Sequence, residues 1–228
     1  MPKSIKPEDL SNLEKLVLLG LDDKGWFGNC ENTIKFGLAG IIIFNLFNEG
    51  RIDFEGRRIK VISKEPMGTP VEDKVLSIID KSKKTRTIKA WIQRLAYRKL
   101  NLRRYLLKQL LDKKIIRKEE YSLLWIFYQN KYPLLNEVLK EQVQEEFFDN
   151  ILTEEKIPSS TLLMIGAMDA CKIVKKNLKG RENTSQINKK IDQLMEFREP
   201  LTKRTRLVKE IKRGISSGIL SSRVSIHA

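Results

Sequence analysis

Apolar positions along this chain recur mostly at a spacing of three to four residues, and they alternate only briefly. Ser11-Asn12-Leu13-Glu14 is a capping box before Leu13, Leu16, Val17 and Leu19, so a short amphipathic helix is predicted, ended by the turn Asp22-Asp23-Lys24-Gly25. From about Glu31 to Asn48, Ile34, Leu38, Ile41, Ile42 and Phe44 combine with small Gly37, Ala39 and Gly40. A helix apolar on most sides belongs at the centre of a bundle, so this is the predicted core helix. Arg51 to Val61 then alternates around Glu55-Gly56, as an antiparallel hairpin does. Thr69-Pro70 starts a helix with Val71, Val75, Ile78 and Ile79 on its apolar face, and Glu72 and Asp73 suit its N-terminal dipole.

Two further helices are predicted at about Thr87 to Ala96, with Ile88, Trp91, Ile92 and Leu95 inward, and at about Leu100 to Lys113, with Leu102, Leu106, Leu107, Leu110 and Leu111 inward. Ile115-Ile116-Arg117 and Ser122 to Tyr128 read either as two strands of a hairpin or as a strand and an exposed loop. Helices resume at about Leu134 to Asn150, Ser160 to Leu178 and Thr184 to Phe197, with Pro158 and Pro200 as boundaries. Leu201 to Gly214 reads as a marginal amphipathic helix, and the Ser/Gly-rich remainder as a disordered tail. The pattern describes a mainly α protein: one helical domain at residues 10–200 around a central apolar helix, with short peripheral β-hairpins. Residues 1–9 form an N-terminal extension and 201–228 a basic, partly disordered tail.

Composition narrows the class. With 228 residues and 41% apolar content the chain can bury a sizeable core, while 32% charged residues argue against a membrane-embedded protein. The longest apolar stretch, Leu38 to Phe47, is interrupted by Asn45 and is far shorter than the roughly 20 residues that span a bilayer. The N-terminus lacks the apolar core of a signal peptide, so a cytoplasmic protein is expected. Cys30 and Cys171 are expected as buried free thiols. His227 is the only histidine, which removes the usual imidazole base and histidine-containing zinc sites. No phosphate-cradling glycine loop, Cys-x-x-Cys pair or nucleophile elbow is found. No enzyme, metal or cofactor is expected. Asp22 and Asp23 are expected to accept backbone N–H groups in their turn rather than to act as a catalytic pair.

Charge changes the picture most. Residues 81–118 carry fifteen Lys or Arg side chains against one acid, Asp112, which is nearly all of the whole chain's +15. Such a surface attracts polyanions. Just beyond it lies Leu123-Leu124-Trp125-Ile126-Phe127. Cations beside an apolar run are how a soluble protein holds an anionic leaflet, each cation contributing about 1 kcal/mol. Arg98, Lys99, Arg103 and Arg104 are the candidate headgroup ligands, Arg as a planar fork and Lys as a point charge. Leu123 to Phe127 reads as a membrane-inserting loop or as a buried strand. Trp26-Phe27 reads as a phosphate-adjacent aromatic or as a loop plug.

Leu13-Glu14-Lys15-Leu16-Val17-Leu18-Leu19-Gly20-Leu21-Asp22-Asp23-Lys24-Gly25, followed by Gly37-Leu38-Ala39-Gly40, resembles the Golgi phosphoprotein 3 family, and in particular its shorter prokaryotic relatives. The likeness continues through Arg51 to Val61, Leu106 to Ile116, Leu123 to Phe127 and Leu162 to Val174, in the family's order and spacing. In eukaryotic members it implies binding of phosphatidylinositol 4-phosphate at Golgi membranes, an apolar hairpin inserted in the bilayer, and retention of glycosyltransferases by their cytosolic tails. The family's lipid-stacking Trp falls at Cys30 and its first Arg at Ala39, while the two later basic positions fall at Leu100 and Arg103. Trp26, Lys99 and Arg104 are the nearby candidates to compensate.

The sequence therefore describes a peripheral membrane protein on the cytosolic face that binds anionic phospholipids, without catalysis. Its further partners would be tails of membrane proteins, glycosylation enzymes or copies of itself. The alternative is a winged-helix-like nucleic-acid-binding protein, since a helix, a hairpin and basic helices also suit phosphate backbones. A scaffold for acidic protein tails is a third reading.

Overall fold

The computed structural model describes residues 5–98, 100–123, 127–153, 157–196 and 202–224. Ser11 opens α1 (Asn12–Gly20): its hydroxyl accepts from the Glu14 N–H at 3.3 Å while Glu14 Oε2 accepts from the Ser11 N–H at 2.9 Å. The capping box expected there is present. At the centre lies α2 (Ile34–Asn48), whose buried residues lie on all sides as its sequence requires. It packs against α1, α3 (Pro70–Asp80), α4 (Ile88–Tyr97), α5 (Leu102–Asp112), α7 (Ser159–Ala170) and α10 (Lys203–Val224).

The amphipathic stripes of α4 and α5 bury the leucine, isoleucine and tryptophan positions expected of them. Ile88, Trp91, Ile92 and Leu95 are buried on α4, and Leu102, Leu106, Leu107 and Leu110 on α5, with Leu111 half-buried against the same core. Thr87 caps α4 by accepting from the Ala90 N–H. Between α2 and α3, β1 (Ile52–Glu55) and β2 (Arg58–Val61) form the antiparallel hairpin the alternation predicts, Phe54 opposite Ile59. The rest of the bundle is α6 (Glu137–Thr153), the single turn α8 (Val174–Asn177) and α9 (Thr184–Met195). The protein is mainly α with two small peripheral hairpins, as read from the pattern.

Three expectations are corrected. First, the C-terminal segment is neither marginal nor disordered after Gly214. It forms the 22-residue α10, ending at Val224, with Leu207, Val208, Ile211, Ile215 and Ile219 buried against α2, α4 and α7. Its small residues are contact points rather than linker. A Cβ on Gly218 would lie 2.5 Å from Phe36 Cδ1, so only glycine lets this helix approach α2 so closely. The helical bundle therefore extends well past the boundary placed near residue 200.

Second, the second hairpin is made not by 115–117 with 122–128 but by β3 (Glu119–Leu123) and β4 (Phe127–Lys131), with Leu123 opposite Phe127. Ile115 and Ile116 are buried, and Ile116 bridges to Leu134 outside that hairpin. Charge favours the observed register: Glu119 lies directly opposite Lys131, with carboxylate and ammonium 2.6 Å apart, and Arg117 adds a second contact at 2.7 Å.

Third, the helix expected over Ser160 to Leu178 breaks at Cys171-Lys172-Ile173. Lys172 adopts φ 62°, and the Ile173 N–H reaches the Met168 carbonyl while the Lys172 N–H reaches that of Asp169. This is a Schellman termination with lysine in the place usually held by glycine.

Candidate anion-binding surface

The loop between α1 and α2 is built by local hydrogen bonds. Asp22 Oδ1 accepts from the N–H groups of Lys24 and Trp26 at 3.0 and 2.8 Å, the turn role expected of it. Asp23 pairs with the buried Lys140. Gly25, at φ 83°, lies so close to the chain leaving β4 that a Cβ would sit 2.3 Å from Pro133 N. Its carbonyl accepts from the Tyr132 N–H at 2.9 Å, which fixes the loop to the hairpin.

Trp26 is half-buried and meets Tyr121 of β3 edge-on at 5.9 Å, while Phe27 is buried. Arg103, in the first turn of α5, lays its guanidinium over the Phe27 ring at 5.0 Å and donates to the Glu31 carboxylate and carbonyl at 3.1 and 3.2 Å. Trp26, Phe27, Glu31 and Arg103 line a small cleft of about 210 Å³ together with Gln129 and Asn130 of β4. Two sequence candidates, Trp26 and Arg103, thus come together at the base of the second hairpin.

The other candidates separate. Arg104 is exposed on α5, and Arg98 is exposed at the C-terminal end of α4, outside the cleft of Trp26 and Arg103. Lys99 lies outside the described residues. Leu123 and Phe127 are described only as paired backbone, and Leu124, Trp125 and Ile126 between them lie outside the described residues. Below them, Glu120, Tyr121, Ser122, Gln129 and Asn130 are exposed, so the hairpin is solvated along these positions.

The basic block divides by partner. Towards its C-terminal end the cations are structural: Lys113 pairs with the buried Glu14 at 2.7 Å, Arg117 with Glu119 and Lys118 with Glu120. Arg86, Arg94, Arg98, Arg104 and Lys108 have no ion pair with an acid among the described residues. The first three, with Lys35 of α2, line an open cleft of about 900 Å³ whose walls also include Ala90, Tyr97, Ser221 and Ser222. Lys35, Arg86 and Arg94 were not picked out from sequence. The signal available was Lys35 itself, a lone cation in the first turn of an otherwise apolar helix. Burial holds the Lys35 ammonium below the usual lysine range, and the nearby Arg103 guanidinium adds to the effect.

Cys30 and Cys171 are both buried free thiols, as expected. Burial pushes the Cys171 thiol up to about 12, which leaves it unreactive. No described helix is long and apolar enough to cross a membrane.

A family model of Golgi phosphoprotein 3 matches residues 13–212 of the chain. The chain belongs to the Golgi phosphoprotein 3 family. The match ends within α10, in agreement with a C-terminal helix that is part of the bundle. The two positions where the family resemblance places a lipid-stacking Trp and an Arg, Cys30 and Ala39, are respectively 2% and 0% exposed. Neither side chain is available to a headgroup. Arg103 remains at its matching position and lines one cleft with Trp26.

Proposed function

We propose that this member of the Golgi phosphoprotein 3 family is a non-catalytic peripheral membrane protein that binds anionic phospholipid headgroups. The observation that carries the proposal is the meeting of Arg103 and Trp26 with the base of the β3–β4 hairpin. The apolar run Leu123 to Phe127 joins the two strands of the same hairpin, at the end away from this cleft. Exposed cations without ion pairs on α4 and α5 extend the attraction, each contributing about 1 kcal/mol near an anionic leaflet. Membrane contact would be made from one side. An adaptor role, towards cytosolic tails of membrane proteins or glycosylation enzymes, rests on family membership alone and is part of the same proposal.

Phosphatidylinositol 4-phosphate is not expected to be strongly preferred, because the aromatic and the Arg that the resemblance assigns to it fall on buried Cys30 and Ala39. Co-sedimentation with neutral, anionic and charge-matched phosphatidylinositol 4-phosphate vesicles, beside a duplex DNA gel shift, tests this reading. Binding to both anionic sets at similar strength, none to neutral vesicles and weaker binding to DNA is expected. Tight DNA binding without vesicle binding would replace the proposal with the nucleic-acid alternative.

A further inference from the structure

The cleft between α2, α4 and α10 has features that the headgroup reading at Arg103 does not use. Arg94 of α4 and Arg98, which caps that helix, line the cleft four residues apart beside the small Ala90, so this wall is doubly charged with little side-chain bulk between the charges and the helix. Opposite them, Lys35 is held 4.5 Å from the Tyr97 ring and 5.4 Å from that of Phe36. Arg86 is anchored as well: it donates to the Lys84 carbonyl at 3.0 Å and lies 5.3 Å from the Trp91 ring. Ser221 and Ser222 of α10 complete the lining, their hydroxyls donating to the Ser217 and Ile219 carbonyls of the same helix.

No carboxylate lines the cleft, and none of its four cations has an ion pair among the described residues. Surfaces ordinarily intersperse acids among such charges. Two cations held by ring contacts and two guanidinium forks without acid partners among the described residues form the donor set that a small, doubly charged oxyanion satisfies. A monovalent diester would leave most of these donors without an acceptor.

We propose that this cleft is a second anion site, separate from the one at Arg103, which takes a phosphomonoester group through Lys35, Arg86, Arg94 and Arg98. Only its lipid arm rests on the membrane reading above, for the same group could come from a headgroup at the bilayer or from a soluble phosphate compound.

The test uses the full chain. Inorganic phosphate replaces chloride at constant ionic strength while melting temperature and the phosphorus NMR signal are followed, and vesicles of phosphatidylcholine with phosphatidic acid are compared with charge-matched phosphatidylserine vesicles. The variants are Arg94→Gln with Arg98→Gln, the conservative Arg94→Lys with Arg98→Lys, and Lys179→Gln with Lys189→Gln as a control for two lost charges elsewhere.

Phosphate is expected to raise the melting temperature of the wild type and of the control, less so that of the Lys variant, and not that of the Gln variant. A several-fold preference for phosphatidic acid, lost in the Gln variant, assigns the site to a lipid; a phosphate response without that preference assigns it to a soluble compound. A wild type indifferent to phosphate, or a Gln variant that responds as the wild type does, overturns the site. Failure to bind any anionic vesicle, with the phosphate response intact, would contradict the membrane reading alone.

Discussion

Lys114 and Lys172 both carry positive φ, at 55° and 62°, and each ends a helix where a glycine would be the usual choice. What holds them is the residue that follows. Ile115 and Ile173 are buried and return their N–H groups to the carbonyls of Leu110 and Met168. The end of the leucine stripe places the first stop at Lys113 in the sequence, but the second is not visible there, because the stabilising event is burial of a residue beyond the helix and not a turn-forming side chain. Gly218 misleads in the opposite sense. Beside Ser216 and Ser217 it reads as linker, whereas in the fold it is where α10 meets Phe36. Gly218→Ala gains about 1 kcal/mol of helix propensity. A methyl 2.5 Å from a fully buried ring forces repacking that costs typically 1–3 kcal/mol, so net destabilisation is expected. Urea unfolding of the variant checks this, and a variant as stable as the wild type would mean that α10 does not pack as described.

At the scale of elements, the long periodic stripes were legible: α1, α2, α4 and α5 lie where spacing and caps place them, and they bury the positions expected. The β3–β4 hairpin was not, because Ile115-Ile116 and Leu123-Leu124 are equally apolar in sequence, while Glu119 facing Lys131 favours the register. The carboxyl of Glu119 is held below the usual carboxylate range, by Lys131 first and then Arg117. Its contribution is thus present above the ordinary glutamate pKa and lost as pH falls through the lowered one. The hairpin also carries the insertion proposal. Changing Trp125 and Phe127 together to Ser should leave the melting temperature nearly unaltered and make vesicle binding fully salt-sensitive, because only charge would remain. If these aromatics belonged to the core, their loss would cost on the order of 3 kcal/mol or more each, and an early melt would remove the insertion claim.

At the scale of the whole molecule, nearly all the net charge sits in one sixth of the chain, yet the fold puts it to two uses. Lys113, Arg117 and Lys118 are spent on neighbouring acids. The cations of α4 and the exposed face of α5 lack ion pairs among the described residues. Sequence reasoning reached the block, and with it Arg98, Arg103 and Arg104. It could not group Arg98 with Lys35 and Arg86, because they come from the two ends of α4 and from α2, which are brought together only by packing. This basic surface is the one proposed to bind anionic membranes. Arg104 and Lys108 test it most directly, being exposed four residues apart on α5 and outside both clefts. With both changed to Glu, two attractions become two repulsions while no buried contact is lost. Co-sedimentation of this variant with anionic vesicles should fall at least tenfold in affinity at low salt, with an unchanged melting temperature. Undiminished binding by a correctly folded variant would contradict the account.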